Sequence, residues 1–321
     1  MRLATIDIGT NTALLLISEW TNGALVEVHN ASGFVRLGEG MDASGRVSDA
    51  ALSRLQAVLF SHMQDIKMHG VSQIVITGTS ASRDASDAHR IHTLVRNITG
   101  TNFTILSGEE EAKVTFLGAT TGVSQFKNGS SKSLIGAKEL VTVIDVGGGS
   151  TEFVQGTFGT HEEALIFKNS LNMGSVRLTE RFLSRQPAPP HEVETARAYL
   201  VELFATHLAG SKKTRSCLGA SGTSRILALL YHDLFDFSEA ENILSIPTIE
   251  VTRLAKQLMH MEYDDVVALH PVKMKGRADV LPGGALILSE LLKYVGAEQL
   301  IISPFGVRHG VAIRSFRESG T

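Results

Sequence analysis

The sequence has few of the features that would suit a secreted or membrane-bound protein. Its 321 residues include one cysteine, Cys217, so an internal disulfide is excluded and the cysteine content is typical of a reducing cytoplasm. No apolar run approaches the length of a bilayer-spanning helix, and Asp7 and Asn11 interrupt the N-terminal run that a signal peptide would need. We therefore expect a cytoplasmic protein with no membrane partner. Because Cys217 falls in a strand-like run, we expect it to be a buried structural thiol.

A large excess of charge of either sign is also missing. Thirty Lys and Arg residues stand against 33 Asp and Glu, which gives a net charge of −3. No global basic field would attract nucleic acid, so any anion must be bound locally. Among the 12 histidines, His89 and His92 lie three residues apart on a predicted helix. No third ligand accompanies them, and a solvated helix face explains them better than a metal site.

The common nucleotide-binding motifs are absent as well. No Gly-x-x-x-x-Gly-Lys-Ser/Thr string occurs, which excludes a P-loop enzyme. The triple glycine at 147–149 lacks the spacing of a dinucleotide-binding motif, so a Rossmann fold is not indicated.

What the sequence does contain is an acidic-glycine turn that occurs twice. The first copy is Asp7-Ile8-Gly9-Thr10-Asn11-Thr12, and the second is Asp145-Val146-Gly147-Gly148-Gly149-Ser150-Thr151. Each turn is preceded by one strand-like run and followed by two, at 3–6, 13–18 and 24–28 in the first copy and at 140–144, 152–154 and 163–167 in the second. Repetition of such a unit predicts two similar lobes.

The residue types in these turns suit phosphate binding. Glycine and hydroxyl residues in a tight turn leave backbone N–H groups able to cradle phosphate, and an Asp at the strand end can hold a divalent cation or water. The alternative for either turn alone is a hairpin whose glycines only permit positive φ. A third glycine-hydroxyl turn, at 219–224, follows the Cys217 strand.

Alternation of strand and helix patterns predicts an α/β protein with sheets covered by helices. We place one domain at 1–122 and a second at 123–303, with a C-terminal helix at about 304–321 that packs back on the first. Ser48 is predicted to cap a helix over 49–69, Ser86 to cap a second that stops at Gly100, and Ser107 with Glu110 to form a capping box. The polar stretch 126–133 is predicted to be a loop or linker.

The turns together resemble the sugar-kinase, actin and heat-shock-chaperone ATPase superfamily. Seven strings in order narrow this to a resemblance to the exopolyphosphatase/guanosine pentaphosphate phosphohydrolase (Ppx/GppA) family, in its short two-domain form: 4–12, 79–85, 107–112, 143–152, 219–223, 277–279 and 282–285. The resemblance runs from Arg2 to about Gly310. It implies two ribonuclease-H-like domains with mixed sheets flanked by helices, an active-site cleft between them, and a homodimer.

The resemblance also implies roles for individual residues. Glu111 matches the catalytic glutamate, a general base for the attacking water, whereas Glu110 suits the dipole and cap of a helix start and Glu109 is expected to be solvated. Asp145 and Glu152 match metal ligands for Mg²⁺, with Mn²⁺ as the alternative; without the resemblance they would be a turn Asp and an exposed strand Glu. The implied phosphate contacts are Asp7, Gly9, Thr10, Asn11, Arg83, Gly147, Gly148, Gly149, Ser150, Gly222 and Thr223. Asp87, where relatives carry Asn, is not assigned to the site.

The expected function is metal-dependent hydrolysis of the terminal phosphate of inorganic polyphosphate, that is, an exopolyphosphatase. One alternative is the 5′-phosphohydrolase of guanosine pentaphosphate (pppGpp), which uses the same chemistry. A second is an actin-like nucleotide-binding module without polyphosphate hydrolysis, and a third is a degenerate protein that only senses the anion. The basic clusters at 212–215 and 273–277 are either solvated faces or part of a channel for the polyphosphate chain.

Overall fold

The structure, a computed structural model, describes residues 1–126, 134–136, 138–159 and 165–320. The chain forms two compact units, Met1–Gly118 with Val307–Thr321, and Ala119–Gly306. The domain bounds drawn from sequence, at 122 and 303, stay a prediction. Apart from Phe126, the predicted linker lies outside the described residues, as do the first two residues of the predicted strand 163–167.

The first unit is built on a five-stranded mixed sheet. In chain order its strands are β1 Arg2–Ile8, β2 Thr12–Thr21, β3 Ala24–Phe34, β4 Gln73–Gly78 and β5 Phe103–Ile105. In space the order is β3-β2-β1-β4-β5, with β2 antiparallel to its neighbours and β4 parallel to β1. The helices that begin in this unit are Met41–Ser44, Asp49–Met68, Ser80–Asp84, His89–Thr99, Gly108–Gln125 and Val307–Glu318.

Of the serine N-caps predicted at Ser48 and Ser86 in this unit, the structure has the first and lacks the second. Ser48 caps the helix Asp49–Met68 by accepting a hydrogen bond from the backbone N–H of Ala51. The prediction that Ser86 caps the next helix is wrong, because that helix runs from His89 to Thr99 and Ser86 instead donates its hydroxyl to the Gly45 carbonyl. Gly100, with φ 65°, ends the helix as predicted.

The second unit carries a six-stranded mixed sheet. Its strands are β6 Leu140–Val146, β7 Thr151–Thr157, β8 Leu165–Leu171, β9 Ser216–Gly219, β10 Ser245–Pro247 and β11 Gln299–Ile302, in the spatial order β10-β11-β9-β6-β7-β8. The helices are Ser175–Phe182, Pro190–His207, Gly222–His232, Thr248–Met259, Tyr263–Leu269, Pro271–Met274 and Leu281–Val295, with a 3-10 turn at Phe237–Glu239. The predicted α/β class with mixed, helix-flanked sheets is therefore confirmed.

The two sheets repeat one another in register, 138 positions apart. Asp7 of β1 lies opposite Leu14 of β2, and Asp145 of β6 lies opposite Glu152 of β7. The irregularity in the pairing of the second and third strands also recurs at the same place, at Ile17/Ser18 and at Gln155/Gly156. A bulge increases local twist and redirects the strand. Its recurrence shows that the repeat seen in the sequence extends to the details of the hairpin.

Each unit has its own apolar core. In the first, buried side chains from β1 and β2 pack with the helix Asp49–Met68; in the second, the helix Leu281–Val295 is buried along most of its length. Cys217 is fully buried in β9, and burial raises the pKa of its thiol to about 12. The predicted structural thiol is therefore confirmed. In the part of the chain that the structure describes, every helix is too short or too polar to cross a bilayer.

The C-terminal helix Val307–Glu318 belongs to the first unit and lies close to the helix Gly108–Gln125. A Cβ atom built on Gly310 would stand 1.8 Å from the carbonyl oxygen of Val114, so the two backbones touch where glycine has no side chain. Nearby, the His309 ring nitrogen lies 2.6 Å from the Glu27 carboxylate. The C-terminal helix is therefore seated by backbone contact and by a partly buried charged hydrogen bond.

We predict that Gly310→Ala destabilises the protein, because the added methyl group has no room against the Val114 carbonyl. Overpacking of this kind costs about 1–3 kcal/mol in the free energy of unfolding. Chemical denaturation of wild type and variant measures the difference. Glu318→Ala, at an exposed position of the same helix, is the control; equal stability of all three proteins would show that the helices separate without cost.

Candidate active site

The first acidic-glycine turn is closed by a short backbone hydrogen bond. The Gly9 N–H donates to the Thr12 carbonyl at 2.9 Å, directly after the strand that carries Asp7. The Thr10 carbonyl accepts from the N–H of Gly38 at 3.0 Å, and the Thr10 side chain packs against Gly38 and is 5% exposed. The carbonyl groups of this turn are therefore fixed by the segment that follows β3.

The second turn has the same geometry. The Gly147 N–H donates to the Ser150 carbonyl at 3.0 Å, and the Gly148 carbonyl accepts from the N–H of Val176 at 2.9 Å. These bonds lie 138 positions beyond those of Gly9 and Thr10, so the repeat includes the support behind the turn. The supporting N–H of Val176 lies in the first turn of the helix Ser175–Phe182. The sequence did not predict this helix.

The support of both turns bears on their ability to bind an anion. A turn whose carbonyl oxygens already accept hydrogen bonds is held in one conformation, and pre-organised backbone amides are what a phosphate group requires. At Gly174, just before the supporting helix, a Cβ atom would lie 2.5 Å from the Gly148 carbonyl, so this approach also needs glycine. The assignment of the turns to phosphate stays a prediction.

Arg83 and Glu111, predicted separately as a phosphate contact and a general base, form one partly buried ion pair. The Arg83 Nη1 atom lies 2.5 Å from the Glu111 Oε2 atom, and the same nitrogen donates to the Leu106 carbonyl at 2.9 Å. Glu111 is 5% exposed and stands in the first turn of its helix, with its N–H bonded to the Ser107 carbonyl. The carboxylate therefore does not point into bulk solvent.

Glu110, one residue earlier, has different partners. Its backbone N–H donates to the Ser107 hydroxyl, as a capping box requires, but its side chain pairs with Lys113 at 2.6 Å and with Arg314 at 2.8 Å. The predicted capping box is therefore only half formed, because two cations compete with the neutral backbone amide for this carboxylate. The hydrogen bond from Lys113 holds the pKa of Glu110 below its usual value.

Asp145 and Glu152 face one another across β6 and β7. As directly opposite residues they project from the same face of the sheet, where like charges are destabilising. Glu152 is 1% exposed and its Oε1 atom accepts from the Ser170 hydroxyl at 2.8 Å, which rules out the exposed strand glutamate considered from sequence. Bound positive charge would offset the repulsion of this pair.

The donor set of this carboxylate pair fits a hard divalent cation. Mg²⁺ prefers oxygen ligands and often takes only one or two protein carboxylates, with water and phosphate oxygens completing the shell. Among the described residues, no group of three or more His, Cys, Asp or Glu side chains could hold a metal. A cation at Asp145 and Glu152 would thus depend on water and substrate oxygens for its remaining ligands.

The third glycine-hydroxyl turn opens the helix Gly222–His232. Ser221 caps the helix by accepting from the Ser224 N–H at 3.1 Å. A Cβ atom on Gly222 would lie 2.8 Å from the Arg277 Nη1 atom, so a guanidinium group stands directly over the helix start. Thr223 is 8% exposed and packs against Gly284, which gives it a structural role besides the predicted phosphate contact.

Arg277, in the basic cluster 273–277 that the sequence left undecided, lies beside the third glycine-hydroxyl turn. Burial and the like charge of Arg225 both lower its pKa, so two guanidinium groups lie near one another at this helix start. Lys273, in contrast, pairs with Asp236 at 2.6 Å. The sequence held a signal that distinguishes Arg277 from Lys273. Arg277 lies in the string Arg277-Ala278-Asp279, one of the seven strings shared with the family, whereas Lys273 lies outside all of them.

Two other predicted surface features have structural explanations. In the cluster 212–215, Arg215 pairs with Glu298 at 2.8 Å with both side chains well exposed, and the Lys213 ammonium lies over the Tyr294 ring. These contacts favour a solvated face over a channel for the anion. His92 is exposed and its ring packs edge-on against that of Phe103, which accounts for it without a metal.

The shared strand order of the two units, each with a glycine-hydroxyl turn after its first strand, places the protein in the actin-like ATPase-fold class. Within that class, the chain belongs to the Ppx/GppA phosphatase family, whose sequence profile matches residues 16–318. The resemblance drawn from the seven strings is therefore confirmed.

Individual relatives cover nearly the whole chain. Exopolyphosphatase 2 of Mycobacterium tuberculosis is 31% identical over 328 residues, which span 97% of this chain and 98% of that protein. A guanosine-5′-triphosphate,3′-diphosphate pyrophosphatase of Aliivibrio fischeri is 26% identical and aligns over 96% of this chain but 58% of its own length. The crystal structure of an exopolyphosphatase-like protein superposes with a TM-score of 0.88 at 26% identity, covering 100% of this chain and 99% of that chain.

Proposed function

We propose that this protein is an exopolyphosphatase that hydrolyses the terminal phosphoanhydride bond of inorganic polyphosphate. The observation that carries the proposal is the buried Glu111 carboxylate in contact with Arg83, in a chain of the Ppx/GppA phosphatase family. A full-length relative at 31% identity that is named as an exopolyphosphatase supports the choice of substrate.

In the proposed reaction Glu111 acts as the general base. A water molecule is oriented by the Glu111 carboxylate and gives it a proton as the water oxygen attacks the terminal phosphorus in line. The bond between that phosphorus and its bridging oxygen breaks, which releases orthophosphate and leaves the chain one phosphate shorter. Burial of Glu111 suits this role because a positioned base in a site of low dielectric needs little reorganisation.

The glycine turns and Arg83 bind the charge of the phosphate chain in this proposal. Arg83 contributes a guanidinium group whose fork matches phosphate oxygens, and the backbone amides of rigid turns add directed donors. The residues assigned to phosphate are Asp7, Gly9, Thr10, Asn11, Arg83, Gly147, Gly148, Gly149, Ser150, Gly222 and Thr223.

Asp145 and Glu152 are proposed to hold the divalent cation, Mg²⁺ with Mn²⁺ as the alternative. When bound, the cation supplies charge neutralisation on the phosphoryl oxygens. We further propose that the enzyme acts in the cytoplasm as a homodimer. The family resemblance supports the dimer, and the single cysteine is compatible with a reducing compartment.

A pppGpp 5′-phosphohydrolase is the second candidate, since one relative at 26% identity carries a name for that activity. The alignment with this chain covers 58% of that relative, whereas the alignment with the exopolyphosphatase from M. tuberculosis covers 98% of that protein. The alternatives without hydrolysis, a nucleotide-binding module or an anion sensor, gain no support from membership in a phosphatase family.

Substrate preference is tested by phosphate release from polyphosphate, pppGpp and ATP in parallel, with the same enzyme preparation. We expect the highest kcat/KM for polyphosphate. A higher kcat/KM for pppGpp would reverse the order of the two candidates, and tight ATP binding without phosphate release from any substrate would reject both.

For the base, we predict that Glu111→Gln lowers kcat by about 10²–10⁴-fold, the usual contribution of general base catalysis. The amide keeps the size of the side chain but cannot accept the proton. The matched control is Glu109→Gln, which removes the same charge at an exposed position of the same helical turn, and we expect it to retain activity. Full phosphate release by the Glu111 variant would exclude this residue as the base.

For the cation, we predict that a chelator abolishes phosphate release and that added Mg²⁺ restores it. Glu152→Gln removes one of the two proposed ligands, so more Mg²⁺ should be needed for half-maximal activity. Glu298→Gln, which alters a carboxylate in an exposed ion pair of the same unit, is the control. An unchanged Mg²⁺ requirement in the Glu152 variant would place the cation elsewhere.

A further inference from the structure

The partner of Arg83 in this structure is itself an anion of the kind that Arg83 is proposed to bind. The Glu111 carboxylate lies 2.5 Å from Arg83 Nη1. Carboxylate and phosphate use the same planar donors of a guanidinium group. We propose that Glu111 is a built-in competitor for the phosphate site, and that a substrate phosphate displaces the Glu111 carboxylate from Arg83. This inference rests on the proposed function, and concerns regulation of the same site.

The contacts around Arg83 allow such an exchange. Besides Glu111, Nη1 of Arg83 donates to the Leu106 carbonyl at 2.9 Å, a contact that holds the guanidinium group in place when the carboxylate leaves. The Arg83 side chain is 20% exposed and that of Glu111 is 6% exposed. An incoming anion can therefore reach Arg83 from solvent, whereas the carboxylate is enclosed.

The backbone that carries Glu111 is held by contacts that do not involve Arg83. It is fixed in the first helical turn by the hydrogen bond to the Ser107 carbonyl. The neighbouring Glu110 is tied to Lys113 and Arg314, so the start of the helix is braced independently of Arg83. In the proposed exchange the Glu111 side chain rotates while the start of its helix stays in place.

The exchange has a chemical consequence for the base. A carboxylate beside a guanidinium group is stabilised in its charged form and is a poor proton acceptor. When phosphate takes the guanidinium group, the carboxylate loses that stabilisation and becomes a stronger base. Glu111 would thus be restrained in the empty enzyme and released by the substrate on which it acts. The cost is a lower apparent affinity, because each binding event must first displace the competitor.

The test measures binding, separately from catalysis. Imidotriphosphate, whose bridging nitrogen atoms resist hydrolysis, is titrated calorimetrically into metal-free protein. We expect Glu111→Gln to bind it about tenfold more tightly than the wild type, a change of about 1.4 kcal/mol, because the substitution removes the carboxylate that competes for Arg83. A role of Glu111 in structure alone predicts no gain in affinity.

Two further variants separate direct competition from general repulsion. Glu110→Gln removes the same charge one residue away, from a carboxylate paired with other cations, and should change the affinity less than about twofold. In an Arg83→Met background, Glu111→Gln should give no gain, because the competition requires the guanidinium group. Thermal unfolding of each variant confirms that it is folded before titration.

The proposal is overturned if Glu111→Gln binds the analogue no more tightly than the wild type does. It is also overturned if the gain in affinity persists in the Arg83→Met background, or if Glu110→Gln gives the same gain. Phosphate release by the wild type is measured in parallel. If polyphosphate is not hydrolysed, the proposed function fails while the binding result still decides the competition. If hydrolysis occurs without the gain in binding, only the competition fails.

Discussion

The hydrogen bond that closes each acidic-glycine turn is the constraint on which both units depend. It joins Gly9 to Thr12 and Gly147 to Ser150, and it fixes where the first strand ends and the second begins. From that point the antiparallel register follows, and with it the residue that faces each strand-end aspartate. A side chain at Gly9 or Gly147 would come within 3.1 Å of the carbonyl that accepts this bond. Glycine at these positions therefore avoids a tight contact with the hairpin's own carbonyl, apart from any role with phosphate.

The ion pair between Arg83 and Glu111 gives two proposed site residues a structural role as well. A buried carboxylate such as that of Glu111 would be costly without a cation, and the partly buried Arg83 guanidinium group supplies one. Each satisfies the other in the empty protein, and the short helix Ser80–Asp84 brings Arg83 to the start of the helix that carries Glu111. If Glu111 is the base, as proposed, the same pairing that stabilises the resting fold would limit its reactivity, so stability and catalytic readiness would be opposed at this position.

Local patterns were enough to predict the repeat, the α/β class and the helix start at Ser48, because each depends on neighbours in sequence. The Ser86 cap was wrong because a tertiary hydrogen bond to Gly45 competed for the hydroxyl. The prediction of a complete capping box was only half right for a similar reason. Arg314, far away in sequence, pairs with the Glu110 carboxylate. The contact of Arg83 with Glu111 could not be derived either, because the 28 positions between them fix no distance. Candidate residues were accessible from motifs; their pairings required the fold.

The duplicated hairpin also explains why the two units differ chemically. At the position opposite the strand-end aspartate, the first unit has Leu14 and the second has Glu152. Of the two hairpins, the second therefore presents two opposed carboxylates, which is where the cation is proposed to bind. The first unit supplies the pair of Arg83 and Glu111 instead. Because the register is the same in both copies, a single substitution at this position is sufficient to make or remove a two-carboxylate site, which shows how a duplicated scaffold can acquire distinct chemistry without a change of fold.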